Sequence, residues 1–308
     1  MVDSKQAPLD SAAAAKAAFA SVQDKPFPDD IFTAPELRWA VIGCGVIANQ
    51  MAQSLALAGR KLAGVANRTL SKAQAFAEQY GIEKVYESVE DLYADPGIDA
   101  VYITTPHNTH ITYLRDALAA GKHVLCEKAI TLNSAELDEA RAIADEHNVV
   151  LMDATTVLHM PLYQELRRRM DAGEFGRMNL AQLNFGSYKE YGDLTNRFYN
   201  RNLAGGAMLD IGVYALSVMR LFMASQPIEV VSLGNTCETG VDVAGGIVCR
   251  NAEQQLGVVS LTLHSKQPKR SIISFDKCYI EVNEYPRADH ATIVWTADGH
   301  REEVHAGT

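Results

Sequence analysis

The stretch Trp39-Ala-Val-Ile-Gly43-Cys-Gly45-Val-Ile-Ala48 decides the fold of this chain. Its apolar start predicts a short strand, and the G-x-G-x-x-A pattern predicts a tight turn into a helix. In that geometry the first backbone N–H groups of the helix, and the positive end of its dipole, point at the space above the turn, where a pyrophosphate fits. Gly43 allows the tight turn, Gly45 lets the backbone approach the phosphates, and Ala48 lets the helix pack on the strand. We expect the phosphates to contact Gly43, Gly45, Val46 and Ile47.

Strands and helices alternate from Leu37 to about Ala154. The predicted strands are 37–42, 62–67, 84–86, 100–104, 123–126 and 149–153, and the predicted helices are 46–58, 71–81, 89–93, 109–120 and 134–147, the last capped by Asn133. Short, apolar strands separated by helices indicate a parallel sheet that is buried on both faces. We therefore predict a doubly wound α/β dinucleotide-binding domain over residues 37–154.

The rhythm changes after Ala154. Predicted helices at 161–172 and 205–223 accompany strand-like runs at 180–185, 228–233, 246–250, 257–263, 272–275 and 293–296. Strands without helices between them indicate an antiparallel sheet, so residues 155–308 are predicted to form an α+β domain. Residues 1–36, Ala-rich and then Pro-rich, are predicted to be an N-terminal arm.

Composition excludes several classes of partner. The chain has 308 residues and a net charge of −10, which disfavours nucleic acid and anionic membranes as partners. We expect no membrane-spanning segment, and the start of the chain does not resemble a secretory signal. Five scattered cysteines without a C-x-x-C pair favour a reduced, cytoplasmic protein.

The second strand ends where a dinucleotide-binding domain recognises the ribose. An acidic residue there would bind the 2′-hydroxyl of NAD, but this chain has Asn67 and Arg68, with Lys72 nearby. A guanidinium can hold a 2′-phosphate, so the sequence favours NADP(H) over NAD. The structural alternative for Arg68 is a surface arginine at the entrance to a helix.

The run from Thr104 to His110 follows the fourth strand, at the carboxyl edge of the sheet where ligands bind. The residues expected to contact the cofactor here are Thr104, Thr105, Pro106, Asn108, through the ribose, and His110, a helix-cap or pocket histidine. His107 and His110 have no obvious third ligand, so we expect no metal.

The fifth strand leads into Glu127-Lys128-Ala129. A lysine emerging from an apolar strand beside a nicotinamide can polarise or protonate a substrate oxygen, and Glu127 is also expected at the cofactor. The structural alternative for Lys128 is an edge lysine in water.

Gly205-Gly206-Ala-Met-Leu-Asp210-Ile-Gly212-Val-Tyr214 begins the main helix of the second domain. Asp210 and Tyr214 are four residues apart and hence on one helical face, where they could bind hydroxyls and relay a proton. The structural alternative is a dipole-stabilised aspartate beside a packed tyrosine. Arg201 and His159 are further candidate substrate contacts.

Four motifs carry a family resemblance: the glycine-rich turn, the run after the fourth strand, the Glu127-Lys128 pair and the Gly205-Gly206 helix. Together they resemble the Gfo/Idh/MocA oxidoreductase family over about Leu37 to Val294, in particular the branch of glucose–fructose oxidoreductase and dimeric dihydrodiol dehydrogenase. The resemblance implies a Rossmann domain, then a domain with an open, mainly antiparallel sheet that mediates homodimers or homotetramers. It also implies hydride exchange between NAD(P) and a sugar, polyol or similar substrate. Lys128 and Tyr214 would share proton transfer, and Asp210 would orient Lys128 or a substrate hydroxyl.

The chain departs from the family pattern in three places, one of which is the additional segment of residues 1–36. Ala129 stands where the family usually has a proline, often a cis one, which is expected to affect the placement of Lys128. The chain also stops at Thr308, earlier than many members, so the second domain is expected to be short at its C-terminus. Two other hypotheses remain open: an NAD-dependent glycosidase or lyase on the same scaffold, and a non-catalytic NADP(H)-binding protein.

Overall fold

A computed structural model describes residues 35–307, in two compact units that divide between Ala154 and Thr155. The predicted N-terminal arm lies outside the described residues, except for its last two positions.

The first unit is built on a six-stranded parallel sheet in the order β3-β2-β1-β4-β5-β6. Its strands are β1 (Trp39–Ile42), β2 (Gly64–Ala66), β3 (Lys84–Tyr86), β4 (Ala100–Ile103), β5 (His123–Cys126) and β6 (Leu151–Asp153). Its helices are α1 (Val46–Leu57), α2 (Leu70–Tyr80), α3 (Val89–Ala94), α4 (His110–Ala119) and α5 (Ser134–Glu146). Two separate apolar clusters contain alternate residues of the central strands, Val41 and Tyr102 in one, Ile42 and Val101 in the other. The predicted doubly wound fold is confirmed.

Local sequence signals set the ends of several elements. Asn133 caps α5, because its side chain accepts a hydrogen bond of 3.0 Å from the backbone N–H of Glu136. Gly81 ends α2 with a φ of +64°. Helix α4 begins at His110 because residues 107–109 form a single 3₁₀ turn after Pro106.

The second unit is built on an eight-stranded sheet in the order β14-β13-β12-β11-β7-β10-β9-β8. Its strands are β7 (Met178–Gly186), β8 (Pro227–Thr236), β9 (Asp242–Asn251), β10 (Leu256–Thr262), β11 (Gln267–Phe275), β12 (Cys278–Asn283), β13 (His290–Trp295) and β14 (Arg301–His305), with helices α6 (Pro161–Asp171) and α7 (Val213–Phe222). Neighbouring strands are antiparallel except β7 and β10, which are parallel. The predicted mainly antiparallel sheet is therefore confirmed.

The sequence prediction missed β12 and β14. In β12 the residues Cys278, Ile280 and Val282 are buried and alternate with more exposed ones, so its signal was present. β14 has the sequence Arg-Glu-Glu-Val-His and buries only Val304, so it has almost no apolar pattern.

The helix predicted over 205–223 is irregular at its start. Met208–Gly212 forms a π-helical turn and only Val213–Phe222 is α-helical. By length and composition alone, the segment Arg201–Phe222 contains an 18-residue window that is apolar enough to cross a membrane, which the sequence analysis did not anticipate. Half of that window is buried within the unit, where Val218 and Phe222 pack in the core.

Candidate active site

Gly43 lies where the first turn meets the end of β4. Its φ is +101°, and a Cβ atom built on it would lie 2.7 Å from Oγ1 of Thr104. The Gly43 N–H donates to the carbonyl oxygen of Ala66 at 2.9 Å. The glycine is therefore required by two independent features, a left-handed backbone and a neighbouring strand in close contact.

Gly45 begins α1 in an open environment. A Cβ atom built on it would meet no heavy atom within 4 Å, and its φ of −80° is an ordinary one. No side chain among residues 35–307 caps the helix, its first turn has no acidic residue, and Val46 is 74% exposed. The first N–H groups of α1 thus face open space, which is the arrangement that binds a phosphate.

The turn after β4 contains a buried acceptor. Within the described residues 35–307, Oδ1 of Asn108 is buried and has no hydrogen-bond partner. Such an atom would be satisfied by a hydroxyl donor such as a ribose. Together with the open glycine turn, this acceptor fits a dinucleotide.

The hydroxyls of the two threonines before Asn108 form hydrogen bonds within the first unit. The hydroxyl of Thr104 donates to the carbonyl oxygen of Ile42 at 3.0 Å, and the hydroxyl of Thr105 accepts from that of Thr109 at 2.8 Å. Pro106 is exposed and begins the 3₁₀ turn. Thr104 and Thr105 therefore shape the loop through these contacts.

The predicted ribose-binding residues follow β2. The side-chain amide of Asn67 donates to the carbonyl oxygen of Thr69 at 3.0 Å, which fixes the turn into α2. Arg68 and Lys72 are exposed. Burial raises the pKa of Cys44, in the glycine turn, to about 11, and the charge of Lys72 opposes that rise.

His110 is fully buried at the start of α4. Its Nε2 lies 2.8 Å from the carbonyl oxygen of Thr105, and its Nδ1 lies 2.9 Å from that of Ala129. Because both ring nitrogens face backbone carbonyls, His110 joins the loop after β4 to the loop after β5, as a pocket histidine would.

Glu127 and Lys128 follow β5 directly. Burial raises the pKa of the Glu127 carboxyl, while the Tyr102 hydroxyl and the Lys128 charge act against that rise. The Tyr102 hydroxyl donates to Oε1 of Glu127 at 2.5 Å. The peptide bond between Lys128 and Ala129 is cis, although Ala129 is not a proline. The first unit thus presents a carboxylate and an amine at the carboxyl edge of its sheet.

In the second unit, Asp210 lies in the π-helical turn and is 8% exposed. A guanidinium nitrogen of Arg197 lies 3.8 Å from its Oδ1. The π turn ends at Gly212, so Asp210 and Tyr214, four residues apart, lie on either side of its junction with α7. Tyr214 is on α7, and the centroid of its ring lies 5.9 Å from the centroid of the Phe185 ring.

The other two candidate substrate residues are exposed. Arg201 lies in a 3₁₀ turn beside Gly240, and His159 ends another 3₁₀ turn before α6. The sequence prediction did not include Arg197 and Tyr102 among the site residues, although they contact Asp210 and Glu127. Arg197 could have been found from its position just before the glycine loop. Among residues 35–307, no group of three or more His, Cys, Asp or Glu side chains could hold a metal ion.

Each of the two units matches a known family model. Residues 37–155 match the model described as "Oxidoreductase family, NAD-binding Rossmann fold", and residues 163–281 match the "GFO/IDH/MocA C-terminal domain". Trans-1,2-dihydrobenzene-1,2-diol dehydrogenase from Mus musculus is 32% identical over 254 residues, which are 80% of this chain and 75% of the mouse protein.

Solved structures share the fold. KijD10, a 3-ketoreductase from Actinomadura kijaniata in complex with NADP and TDP-benzene, has a TM-score of 0.77 and 25% identity, covering 89% of this chain and 85% of KijD10. A levoglucosan dehydrogenase in complex with NADH and levoglucosan has a TM-score of 0.80 at 21% identity, covering 88% of this chain and 80% of that one. The resemblance inferred from the four sequence motifs is confirmed: the chain belongs to the Gfo/Idh/MocA family of oxidoreductases, with an NAD-binding Rossmann domain and the family's C-terminal domain.

Proposed function

We propose that this chain is an NADP(H)-preferring oxidoreductase that transfers hydride between nicotinamide and a carbinol or carbonyl carbon of a sugar, polyol or related small diol. The observation that carries the proposal is the Glu127-Lys128 pair at the carboxyl end of β5, in a domain of an NAD-binding oxidoreductase family. The names of the relatives support the substrate class, since one is a dihydrobenzenediol dehydrogenase and another is a 3-ketoreductase.

The preference for NADP(H) is proposed from charge. No acid follows β2; Arg68 is exposed there, and the Lys72 charge reaches the glycine turn. A guanidinium and an ammonium together would pair with a 2′-phosphate. KijD10 carries NADP in its structure, which is consistent with this choice.

The bound nicotinamide would supply the hydride acceptor or donor. The chain's own residues bind and orient the substrate, and they move the proton. Lys128 polarises the substrate oxygen and stabilises negative charge as it develops there. Tyr214 exchanges the hydroxyl proton, and Asp210 orients a substrate hydroxyl through one of its carboxylate oxygens.

We also propose that the chain forms a homo-oligomer through the sheet of the second unit and acts in the cytoplasm. β8 is an edge strand of that sheet, and its apolar side chains are exposed, with Val231 at 70% and Leu233 at 83%. An exposed, apolar edge strand is a surface that a second copy of the chain would cover.

The function is tested by ligand binding and then by turnover. We expect NADP(H) to raise the thermal unfolding midpoint more than NAD(H) does at equal concentration. Sugars, polyols and trans-diols are then screened with the preferred cofactor by the near-ultraviolet absorbance of the reduced nicotinamide. Binding without turnover of any compound would instead support a non-catalytic NADP(H)-binding protein. Substrate consumption without net cofactor reduction would support the glycosidase or lyase hypothesis.

A further inference from the structure

The side chain of Tyr102 packs in an apolar layer of the first unit. Tyr102 is on β4, in register with Val41 of β1 and Leu125 of β5, and it is 5% exposed. Its cluster is otherwise made of apolar side chains such as Val65 and Phe76. A phenylalanine would pack in this layer equally well, whereas a buried phenol requires a hydrogen-bond partner.

That partner is the carboxylate of Glu127, which is held at both oxygens. Oε1 accepts from the Tyr102 hydroxyl at 2.5 Å, and Oε2 accepts from the backbone N–H of Lys128 at 3.3 Å. The backbone N–H of Glu127 donates to the carbonyl oxygen of Ile103 at 2.9 Å. Tyr102 is thus connected, through one carboxylate, to the backbone of Lys128.

Three charged or titratable groups act on this carboxylate from the elements around it: Tyr102 from β4, Lys128 from the end of β5, and His110 from α4. Burial is the largest influence, and it raises the pKa of Glu127. The Tyr102 hydrogen bond is the strongest influence in the opposite direction, ahead of Lys128 and His110. Without the hydroxyl, burial would be less opposed, and the pKa of Glu127 would rise further.

We propose that Tyr102 is a positioning residue of the active site, whose hydroxyl orients the Glu127 carboxylate on the Lys128 backbone. Loss of this contact would favour the protonated form of Glu127 and weaken its electrostatic field at the Lys128 ammonium. Tyr102 acts through Glu127 and retains its own proton. The inference rests on the proposed function, because it assumes that Lys128 takes part in turnover.

The test is Tyr102→Phe, which removes the hydroxyl and keeps the ring. Tyr86→Phe is a matched control, because the Tyr86 hydroxyl donates to Oδ2 of Asp95 at 2.6 Å in the same unit, away from Lys128. We expect Tyr102→Phe to lower kcat about tenfold and leave the KM for NADP(H) within about twofold. We also expect the acidic side of its pH–kcat profile, which reports the ionisation of Glu127, to move to higher pH. Tyr86→Phe should keep the wild-type profile.

A second readout does not depend on turnover. Carbon-13 NMR of labelled glutamate carboxyls follows the titration of Glu127, assigned by the signal missing from Glu127→Gln. We expect the midpoint to rise in Tyr102→Phe and to stay in place in Tyr86→Phe. An unmoved midpoint in Tyr102→Phe would overturn the inference.

The outcomes separate the two proposals. A wild-type protein without turnover on any diol or sugar contradicts the proposed function, and the role of Tyr102 with it, even where NMR shows the pair. An active wild type whose pH profile is unchanged in Tyr102→Phe overturns the role of Tyr102 alone. Equal changes in Tyr86→Phe would do the same, because they would indicate a general loss of stability.

Discussion

Nδ1 of His110 lies 2.9 Å from the carbonyl oxygen of Ala129, the residue that follows Lys128. The other ring nitrogen contacts the carbonyl oxygen of Thr105. One fully buried imidazole therefore connects the loop after β4, proposed to bind the cofactor, with the loop that carries Lys128.

Loss of this ring should destabilise the first unit. His110→Ala removes a buried ring whose two nitrogens contact backbone carbonyl oxygens, and it leaves a cavity, which together cost about 2–4 kcal/mol. We expect the thermal midpoint to fall by about 5–15 °C in calorimetry. His147→Ala, at an exposed position after α5, should change it little. An unaltered midpoint in His110→Ala would show that the two loops hold together without the imidazole.

Gly43 and Gly45 should respond differently to alanine. In Gly43→Ala the new Cβ atom would meet Thr104, so we expect a lower thermal midpoint without any ligand. In Gly45→Ala the Cβ atom projects into open space, so the ligand-free midpoint should stay within about 2 °C of wild type. If a pyrophosphate binds at this turn, Gly45→Ala should nonetheless weaken NADP(H) binding about tenfold or more in calorimetric titration. Wild-type affinity in Gly45→Ala would place the pyrophosphate elsewhere.

Arg68 should determine the choice of cofactor. We expect Arg68→Ala to weaken NADPH binding by about tenfold or more, since a charge-assisted contact with the 2′-phosphate is lost, and to leave NADH binding nearly unchanged. Arg141→Ala, an exposed arginine on α5, provides the control. Fluorescence titration of both reduced cofactors measures the effect. Equal weakening for NADPH and NADH would argue against a 2′-phosphate contact.

Lys128 should be needed for turnover rather than for folding. Lys128→Met keeps the apolar stem of the side chain and removes the charge, so kcat should fall by about 10²–10⁴-fold. Cofactor binding should change much less. Steady-state kinetics and a cofactor titration of the same preparation give both quantities. Intact turnover in Lys128→Met would overturn the proton-transfer role.

The exposed strand β8 should control the oligomeric state. A charge at Leu233 would prevent apolar contact with a second copy, so Leu233→Asp should lower the molar mass in light scattering from that of an oligomer to that of a monomer. Val150→Asp introduces the same charge at an exposed apolar position of the first unit and should leave the mass unchanged. A wild-type protein that is already monomeric would refute the proposed interface.

The parallel sheet could be predicted because its signals are local. Each βα step is encoded by a few apolar residues and a turn, as at Gly43 and Gly81, and the cap at Asn133 depends only on residues up to Glu136. The second sheet was predicted in kind, yet β14 was missed because only Val304 is buried in it.

Features that depend on distant contacts could not be predicted. The π turn at Asp210 contacts residues of both β9 and β10: the Met208 N–H donates to Oδ2 of Asp242 at 2.7 Å, and Gly212 lies close to Leu261. No periodicity in the segment itself reveals these contacts. The Tyr102–Glu127 pair likewise requires the register between two strands, which the sequence does not contain.

The parallel pairing of β7 with β10 has a consequence for the order of assembly. Roughly 70 residues separate the two strands, so their pairing closes a long loop. The conformational entropy of that loop is lost before the contacts between the strands form and compensate for it. The most distant strands that pair in the first unit, β1 and β4, are closer in sequence than β7 and β10, and the first unit emerges earlier from the ribosome. We therefore expect refolding in two kinetic phases, with the nucleotide-binding unit fast and the second sheet slow.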